Sequence, residues 1–231
     1  MPLLVLSVLF DLFSTFSTGH AVCLKEWLGQ AEEILERTES YTAIFHKQER
    51  IKDWLKSKET VRFKFKKPFK VYMQWIEGPG KGREIYYVEG WNKNRILVRE
   101  PGTFGTVTLH LNPLGRLAMQ GSRHPITDAG LGFLVRLFGE NLRRGWASGQ
   151  VAYELLKEEQ VYGRRALVID LRFPRDPRYG YYCYRTLMAI DTQTKVPIRV
   201  VAFDWEERLM GDYGYEQLVL DAGLTDDEFR P

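Results

Sequence analysis

Hydrophobic and charged residues alternate along the part of the chain from Val61 to Glu100. Segment Val61–Pro68 alternates phenylalanine with lysine and arginine, segment Phe69–Trp75 follows directly, and a Gly-Pro-Gly turn at 78–80 leads to the next. Because successive strand residues point to opposite faces, this period of two predicts a sheet with one apolar and one charged face. The apolar face carries five large side chains: Phe63, Phe65, Val71, Met73 and Trp75. Either another part of the protein or a bound molecule has to cover them.

Similar segments, separated by turn residues, predict strands along most of the chain. The predicted strands cover residues 41–54, 58–67, 69–77, 83–89, 95–99, 106–111, 150–159, 163–172, 179–191, 196–204 and 208–220. No linker, low-complexity stretch or repeat divides them, so we expect one domain. The predicted fold class is α+β and mostly β, with a curved antiparallel sheet of about ten or eleven strands that must curl or close upon itself.

Two helices interrupt the strand pattern. The first is predicted over residues 24–38, and the second runs from an N-cap at Thr127 or Asp128 to about Arg144. The apolar stripe of the second helix comprises Leu131, Leu134, Val135, Phe138 and Leu142. Its glycines, at positions 130, 132 and 139, each disfavour a helix interior by about 1 kcal/mol. They indicate either a cover that can loosen or close approach of the helix to the sheet.

The N-terminus has the composition of an export signal. Residues 2–10 are almost wholly apolar, and Gly19-His20-Ala21 resembles a small-x-small cleavage site. We therefore expect a signal peptide over residues 1–22, a mature domain over 23–231 and a periplasmic location. The alternative is a protein anchored in the membrane through an uncleaved N-terminus. In an exported protein, Cys23 and Cys183 either form one disulfide or stay unpaired.

The charge pattern does not favour nucleic acid as a partner. The formal net charge is +3, and the basic residues are spread through the strands. The tyrosine-rich segment 179–184 could stack bases or sugars, but no basic stripe accompanies it, and aromatic residues are good strand formers. We expect a monomeric globular domain that does not bind nucleic acid.

Sequence motifs for catalysis are weak throughout the chain. His46, His110 and His124 have no second ligand at metal-binding spacing, and no serine lies in a nucleophile-elbow sequence. The glycine-rich turn at 78–82 lacks the spacing of a phosphate loop, and the acidic run at 226–228 reads as a solvated tail. We expect no metal, no cofactor and no catalytic residue, and therefore no enzyme. An enzyme would need polar side chains inside the fold, for which the candidates are Glu49, Glu84, His46 and His110.

Several short motifs resemble one known family. Lys66–Trp75 is similar to the lysine-arginine-proline turn and tryptophan strand of LolA, the periplasmic lipoprotein carrier, and its relatives. Glu89–Asn92 falls at that family's aspartate-glycine-lysine turn, and Asp191–Ile198 resembles its late hairpin. Pro125–Leu131 resembles the helix signature of an uncharacterised bacterial group, the domain-of-unknown-function family 1571.

The resemblance implies an incomplete barrel in which the helix from Thr127 is a lid over an apolar cavity. Lys67 stands where the carrier family has an arginine that holds the lid closed, and lysine lacks the planar fork of arginine. The cavity residues expected to bind a ligand are Phe63, Phe65, Val71, Met73, Trp75, Ile85, Leu131, Leu134 and Phe138. The function expected is non-enzymatic binding of an acyl chain or lipoprotein, with transient contact with a membrane surface. The alternative is an envelope scaffold whose core is filled by its own side chains, with no pocket between sheet and helix.

Overall fold

One antiparallel sheet carries most of the fold. A computed structural model describes the backbone of residues 18–103 and 105–231, and the side chains from Leu24 onward apart from residue 104. Within these residues the strands are β1 (Ser40–Ile51), β2 (Trp54–Leu55), β3 (Glu59–Lys66), β4 (Lys70–Glu77), β5 (Glu84–Val88), β6 (Ile96–Gly102), β7 (Gly105–Leu111), β8 (Ala152–Val161), β9 (Arg164–Arg172), β10 (Arg185–Asp191), β11 (Pro197–Phe203) and β12 (Leu209–Leu220). The helices are α1 (Thr18–Arg37) and α2 (Leu131–Ser148).

The strand order confirms the predicted incomplete barrel. The order is β7-β6-β5-β4-β3-β1-β12-β11-β10-β9-β8, and the two-residue β2 pairs with β1 alone. Two meanders meet in the middle, where β1 pairs with β12 and Phe45 lies opposite Tyr215. The outermost strands, β7 and β8, do not pair with each other, so the sheet stays open. The sheet has one strand more than the upper end of the predicted number, and that strand is the short β2.

The registers explain why one face of β3–β5 is apolar. Phe63 lies opposite Met73, and Met73 lies opposite Ile85 on the next strand. Directly opposed residues of neighbouring strands share a face, so the alternation read from the sequence becomes a continuous apolar surface. This surface faces α1 and α2, and we call it the inner face of the sheet.

The two helices pack against each other as well as against the sheet. All five residues of the predicted apolar stripe of α2 are buried. Gly139 lies against α1, where an added Cβ would be 3.3 Å from the Cδ1 atom of Leu28. This glycine therefore permits close approach between the two helices, whereas the sequence suggested close approach to the sheet.

The start of α2 differs from the prediction. Residues Ile126–Asp128 form a separate 3₁₀ turn, so neither Thr127 nor Asp128 caps α2. Gly130 is the N-cap, with φ of 102°, a conformation that side chains with a Cβ rarely adopt. The helix continues past Arg144 to Ser148 and ends where Gly149 enters the left-handed region.

The tyrosine-rich segment was wrongly predicted as the start of a strand. Residues Pro177–Tyr179 form a 3₁₀ turn, in which the Asp176 side chain accepts a hydrogen bond of 2.9 Å from the backbone N–H of Arg178. Gly180 then takes φ of 69°, and β10 begins only at Arg185. Turn chemistry here overrides the strand preference of tyrosine.

The acidic C-terminal run, expected to be a solvated tail, has exposed side chains at Asp226 and Asp227 but is an ordered turn. Asp226–Phe229 form a 3₁₀ turn on the outer face of the sheet, the face opposite the two helices. Phe229 is fully buried there, in a second apolar cluster with Tyr72, Tyr86, Val88 and Leu97. Lys64 contacts Glu228 at 2.7 Å, and Lys66 contacts Asp226 at 2.8 Å. The charged strand face is thus partly covered by the end of the chain.

The N-terminal predictions fall largely outside the described residues. The expected signal peptide, 1–22, overlaps them only from residue 18, where α1 begins, so the signal and its cleavage stay predictions. Cys183 is a free, buried thiol with its Sγ 3.0 Å from Thr186 Oγ1, while the side chain of Cys23 is outside the described part. No described helix is long and apolar enough to span a bilayer.

Candidate ligand-binding cavity

A cavity of about 510 Å³ lies between the inner face of the sheet and α2. Known ligand pockets have volumes of roughly 300–1,000 Å³ and are mostly apolar. The apolar side chains around it include Phe45, Val61, Phe63, Met73, Trp75, Ile85, Ile96, Val98, Leu109, Leu111, Leu117, Leu134, Leu137, Phe138, Val200 and Tyr215. The cavity is therefore large enough, and apolar enough, to hold part of a lipid.

Six of the nine residues predicted to bind a ligand line this cavity. They are Phe63, Met73, Trp75, Ile85, Leu134 and Phe138. Phe65, Val71 and Leu131 are not in the cavity wall, because Val71 and Leu131 are fully buried in the core and Phe65 packs between Tyr41 and Phe69. Contact between any of the nine and a ligand stays a prediction.

Lys67 lies near α1 rather than α2. Its ammonium group donates a hydrogen bond to the backbone carbonyl of Glu36, in the last turn of α1. A cation at a helix C-terminus is favourable because the free carbonyls carry partial negative charge. The structure thus links Lys67 to the N-terminal helix, and its predicted role in holding the lid closed stays a prediction.

Other groups fix α2 over the cavity. The buried hydroxyl of Tyr41 accepts a hydrogen bond of 2.8 Å from the backbone N–H of Leu131, the first residue of the helix. Burial raises the pKa of Tyr41 well above its ordinary value, so the phenol stays neutral. Further along the helix, Arg143 donates to Glu32 of α1 at 2.6 Å. A buried hydrogen bond and an exposed ion pair therefore hold the two halves of α2.

The segment between β7 and α2 forms a wall that the sequence analysis missed. Residues 113–130 contribute Pro113, Leu117, Ala118, Ile126 and Ala129, among others, to the cavity. Between residues 113 and 126 the sequence has neither the period of a strand nor that of a helix, so the pattern predicted no element there, whereas residues 127–130 were expected at the start of the second helix. The only signal in residues 113–126 is a set of apolar residues in a stretch without predicted regular structure.

A buried polar cluster faces the same cavity. The carboxylate of Glu49, only 4% exposed, accepts hydrogen bonds from Tyr213 Oη at 2.8 Å and Lys47 Nζ at 3.3 Å. Lys47 also lies 3.4 Å from the carboxylate of Glu59. Burial, reinforced by the charge of Glu49, strongly raises the pKa of Tyr213, so its hydroxyl remains a donor. Because a buried charge is costly unless it is paired, this arrangement explains how Glu49 is tolerated beside apolar walls.

His124 adds a neutral polar group to the cavity. Its Nε2 atom lies 2.8 Å from the hydroxyl of Tyr182, and its Nδ1 atom lies 3.9 Å from a carboxylate oxygen of Asp128. Burial lowers the pKa of His124, although the carboxylates of Glu49 and Asp128 oppose the shift. These polar groups can offer hydrogen bonds to a molecule in the cavity. The described residues contain no cluster of three or more potential metal ligands.

The four polar residues named for an alternative enzyme are not brought together. Glu49 lines the cavity. His46 pairs with Glu216 at 2.7 Å. Glu84 accepts from the hydroxyl of Tyr72, and His110 contacts Asn92. Alternation along β1 could have identified Lys47 and Glu49 as cavity residues, because both fall on the same face as Tyr41 and Phe45.

The open antiparallel sheet, with two helices on its inner face and a cavity beneath one of them, is an incomplete barrel of the LolA-like class. The chain belongs to the family described as "Protein of unknown function (DUF1571)", whose model matches residues 38–231. Both resemblances inferred from the sequence are thereby confirmed.

The chain matches several solved structures at low sequence identity. The Mycobacterium tuberculosis lipoprotein LppX has a TM-score of 0.51 and 12% identity, over 88% of this chain and 98% of LppX. MucB has a TM-score of 0.50 and 16% identity over 91% of this chain, which spans only 63% of the MucB chain. A LolA superfamily protein from Nitrosomonas europaea, NE2245, has a TM-score of 0.34 and 12% identity, over 90% and 97% of the two chains. At these identities the similarity concerns the fold alone, and no curated protein matches the sequence.

Proposed function

We propose that this protein holds an acyl chain of a lipid or lipoprotein in the cavity between the sheet and α2, without catalysing a reaction. The observation that carries the proposal is the apolar cavity of about 510 Å³ itself. In the proposal the protein is exported and acts in the periplasm, either released from its signal or anchored by it. The similarity to LppX, a protein named as a lipoprotein, is consistent with an envelope location.

Removal of apolar surface from water would provide the affinity. Each buried CH₂ group contributes about 0.8 kcal/mol, before the cost of immobilising the chain is subtracted. Met73, Ile85 and Leu134 offer the ligand flexible or branched apolar contacts. The polar cluster around Glu49 and His124 gives the proposed ligand a hydrogen-bonding environment for a polar group at one side of the same cavity.

The alternative is an interaction module whose core is filled by its own side chains. That alternative predicts no space between the sheet and the helix. The cavity beneath α2 is the reason that we favour the binding function, because a protein with a purely scaffolding role gains nothing from an unfilled interior.

A titration of the purified protein with a fluorescent fatty acid tests this proposal. We expect saturable binding that unlabelled fatty acid reverses. Trp75→Asp places a carboxylate in the cavity wall and should weaken binding at least tenfold, a change of about 1.4 kcal/mol. Trp205→Asp is the matched control, because Trp205 lies in the turn between β11 and β12, away from the cavity. Circular dichroism of both variants checks that they fold.

Two results would contradict the proposal. One is the absence of saturable binding to the wild type under conditions in which a known lipid carrier binds the same probe. The other is equal affinity in a folded Trp75→Asp variant and the wild type. Either result would favour the scaffold alternative.

A further inference from the structure

The β1–β2 hairpin presents two apolar side chains to solvent. The chain turns at Lys52 and Asp53, and Trp54 pairs back with Ile51. All residues from 52 to 58 are exposed, and Trp54 is 77% exposed while its neighbour Leu55 is 42% exposed. Single exposed apolar residues are common on protein surfaces, but a tryptophan and a leucine side by side at a hairpin tip form a protruding apolar point.

Positive charge surrounds this point. Lys52, Lys56 and Lys58 are exposed, and none has an ion-pair partner within the described residues. The single acidic residue of the turn is Asp53, which lies 3.7 Å from Arg208, a side chain that also pairs with Asp204 at 2.9 Å and with Glu206 at 3.3 Å. The hairpin tip thus combines two apolar side chains with an excess of positive charge.

The hairpin stands at the opening of the cavity. The backbone N–H of Lys56 donates a 2.8 Å hydrogen bond to the carbonyl of Glu49, and both residues line the cavity. Leu109 on β7 and Leu117 in the segment that follows β7 also line the cavity, and their side chains are 39% and 64% exposed. The hairpin, through Lys56, and the exposed side chains of Leu109 and Leu117 therefore border the same cavity.

We propose that the rim of the cavity, formed by hairpin residues 52–58 together with Leu109 and Leu117, is a docking surface for an anionic phospholipid bilayer. Trp54 and Leu55 would enter the interfacial layer, where tryptophan is enriched in proteins that contact membranes. The three lysines would contact anionic headgroups, since basic residues close to a membrane are attracted by its negative surface potential.

The shape of the surface favours a bilayer over a protein partner. A stable protein interface buries about 800 Å² on each side, which requires a broad complementary surface. The hairpin instead offers a narrow tip, with two apolar side chains and unpaired lysines, that can insert among lipid headgroups. Docking by this rim would also let an acyl chain pass between bilayer and cavity without crossing water, a consequence that rests on the proposed function.

Vesicle co-sedimentation tests the docking surface. The full chain is mixed with vesicles of phosphatidylcholine alone or with added phosphatidylglycerol, at low and high salt. We expect binding to the anionic vesicles, weakened by salt because exposed charges are screened. The double variant Trp54→Ala/Leu55→Ala, and separately the triple variant Lys52→Ala/Lys56→Ala/Lys58→Ala, should each reduce the bound fraction at least fivefold.

Matched controls carry the same kinds of substitution away from the rim. Leu156→Ala/Val219→Ala removes two exposed apolar side chains from β8 and β12, and Lys157→Ala/Arg165→Ala removes basic ones from β8 and β9. Both controls should sediment like the wild type. All substituted residues are on the surface, so the variants are expected to fold, which circular dichroism checks.

The same variants separate failure of docking from failure of the cavity. The Trp54→Ala/Leu55→Ala variant should keep wild-type affinity for the fluorescent fatty acid in the absence of vesicles. Vesicle binding by a wild type that binds no fatty acid would support docking and contradict the proposed function. A wild type that does not bind anionic vesicles, or a Trp54→Ala/Leu55→Ala variant that binds them equally well, would overturn the docking surface. Recruitment of a protein partner without vesicle binding would overturn it too.

Discussion

The inner and outer faces of β3–β5 are built from alternate residues of the same strands, yet they are covered differently. On the outer face, Phe229 fills the space over Tyr72 and Tyr86 and is completely buried. On the inner face, Phe63 and Met73 contribute to a cavity of about 510 Å³ beneath α2. One face is therefore sealed by the chain itself, and the other is left partly unfilled.

The difference lies in how the covering segment is attached. On the outer face, a single 3₁₀ turn carries an apolar side chain and acidic residues that pair with lysines on the strands below. On the inner face, α2 is fixed at its first residue by Tyr41 and farther along by an ion pair to α1, so the helix bridges the sheet. A helix that is held at two points above the sheet can leave space beneath it, whereas a turn packed directly on the strands cannot. The two faces should therefore respond differently to substitution.

The largest expected effect is on the sealed face. Phe229→Ala should lower the free energy of unfolding by about 3–5 kcal/mol, because it removes a fully buried aromatic side chain. Urea unfolding measures this loss. Fatty-acid affinity of the folded variant should stay within twofold of the wild type. Phe203→Ala, at a half-buried position on β11, is the matched control and should cost less. A similar decrease in the free energy of unfolding in Phe229→Ala and Phe203→Ala would contradict the prediction that burial of Phe229 makes the larger contribution to stability.

A substitution that fills the cavity on the inner face should affect fatty-acid binding more than stability, the reverse of Phe229→Ala. Ala129→Phe adds a ring at a residue that lines the cavity, so it should weaken fatty-acid binding at least tenfold, or about 1.4 kcal/mol. The free energy of unfolding should change by less than the roughly 1–3 kcal/mol that overpacking a solid core costs. Val219→Phe, on an exposed position of β12, should change neither quantity. A strongly destabilised Ala129→Phe variant would show that the space is not available.

A smaller effect concerns pH at the polar side of the cavity. Burial lowers the pKa of His124; Lys47 and Arg123 act in the same direction, while Glu49 and Asp128 oppose it. The unfolded state therefore binds the proton more readily, so the stabilisation from His124 is complete above its unfolded pKa of about 6.5 and is lost as the pH falls through the lower folded value. The urea midpoint should fall between about pH 7.5 and pH 5.5 by more in the wild type than in His124→Gln. Equal decreases would contradict a buried neutral His124.

The smallest expected effect is at the exposed ion pairs of the sealed face. Hydrogen bonds from Lys66 and Lys70 hold the pKa of Asp226 at about 2, below its ordinary value of 3.8. The ionised Asp226 carboxylate therefore stabilises the fold above its ordinary pKa, and this stabilisation is lost as the pH falls toward the pKa of Asp226 in the folded protein. Asp226→Asn should slightly lower the urea midpoint near neutral pH, and the difference should vanish in strong acid. Asp227→Asn, which removes no ion pair within the described residues, should match the wild type throughout. A constant difference at every pH would mean that the carboxylate charge is not responsible.

Alternation along the chain was sufficient to predict the strands and their inner face, because a strand face is a local property of every second residue. One error in a strand boundary and one in a helix boundary have local causes that outweigh propensity. At Pro177–Tyr179 the Asp176 side chain and Gly180 close a turn, and at Gly130 a positive φ delays the start of α2. Phe229 could not be assigned to the outer face, because its burial depends on contacts with residues far away in sequence.

The candidate site was only partly predictable for the same reason. Phe63, Met73 and Ile85 reach the cavity because their strands pair in the register that alternation implies. Val71 shares their face but lies away from the cavity wall, since its position depends on where the helices seat. Residues 113–126 of the cavity wall have no periodic signal, and their place follows only from the path of the chain between β7 and α2.

Native mass spectrometry of the full protein, purified from its own cells without detergent, shows directly whether the cavity holds a lipid. We expect a wild-type species heavier than the polypeptide by the mass of an acyl-bearing lipid. This species should be lost in Ala129→Phe and retained in Val219→Phe. A wild-type spectrum that contains only the polypeptide mass, under conditions in which a known carrier keeps its lipid, would contradict the account.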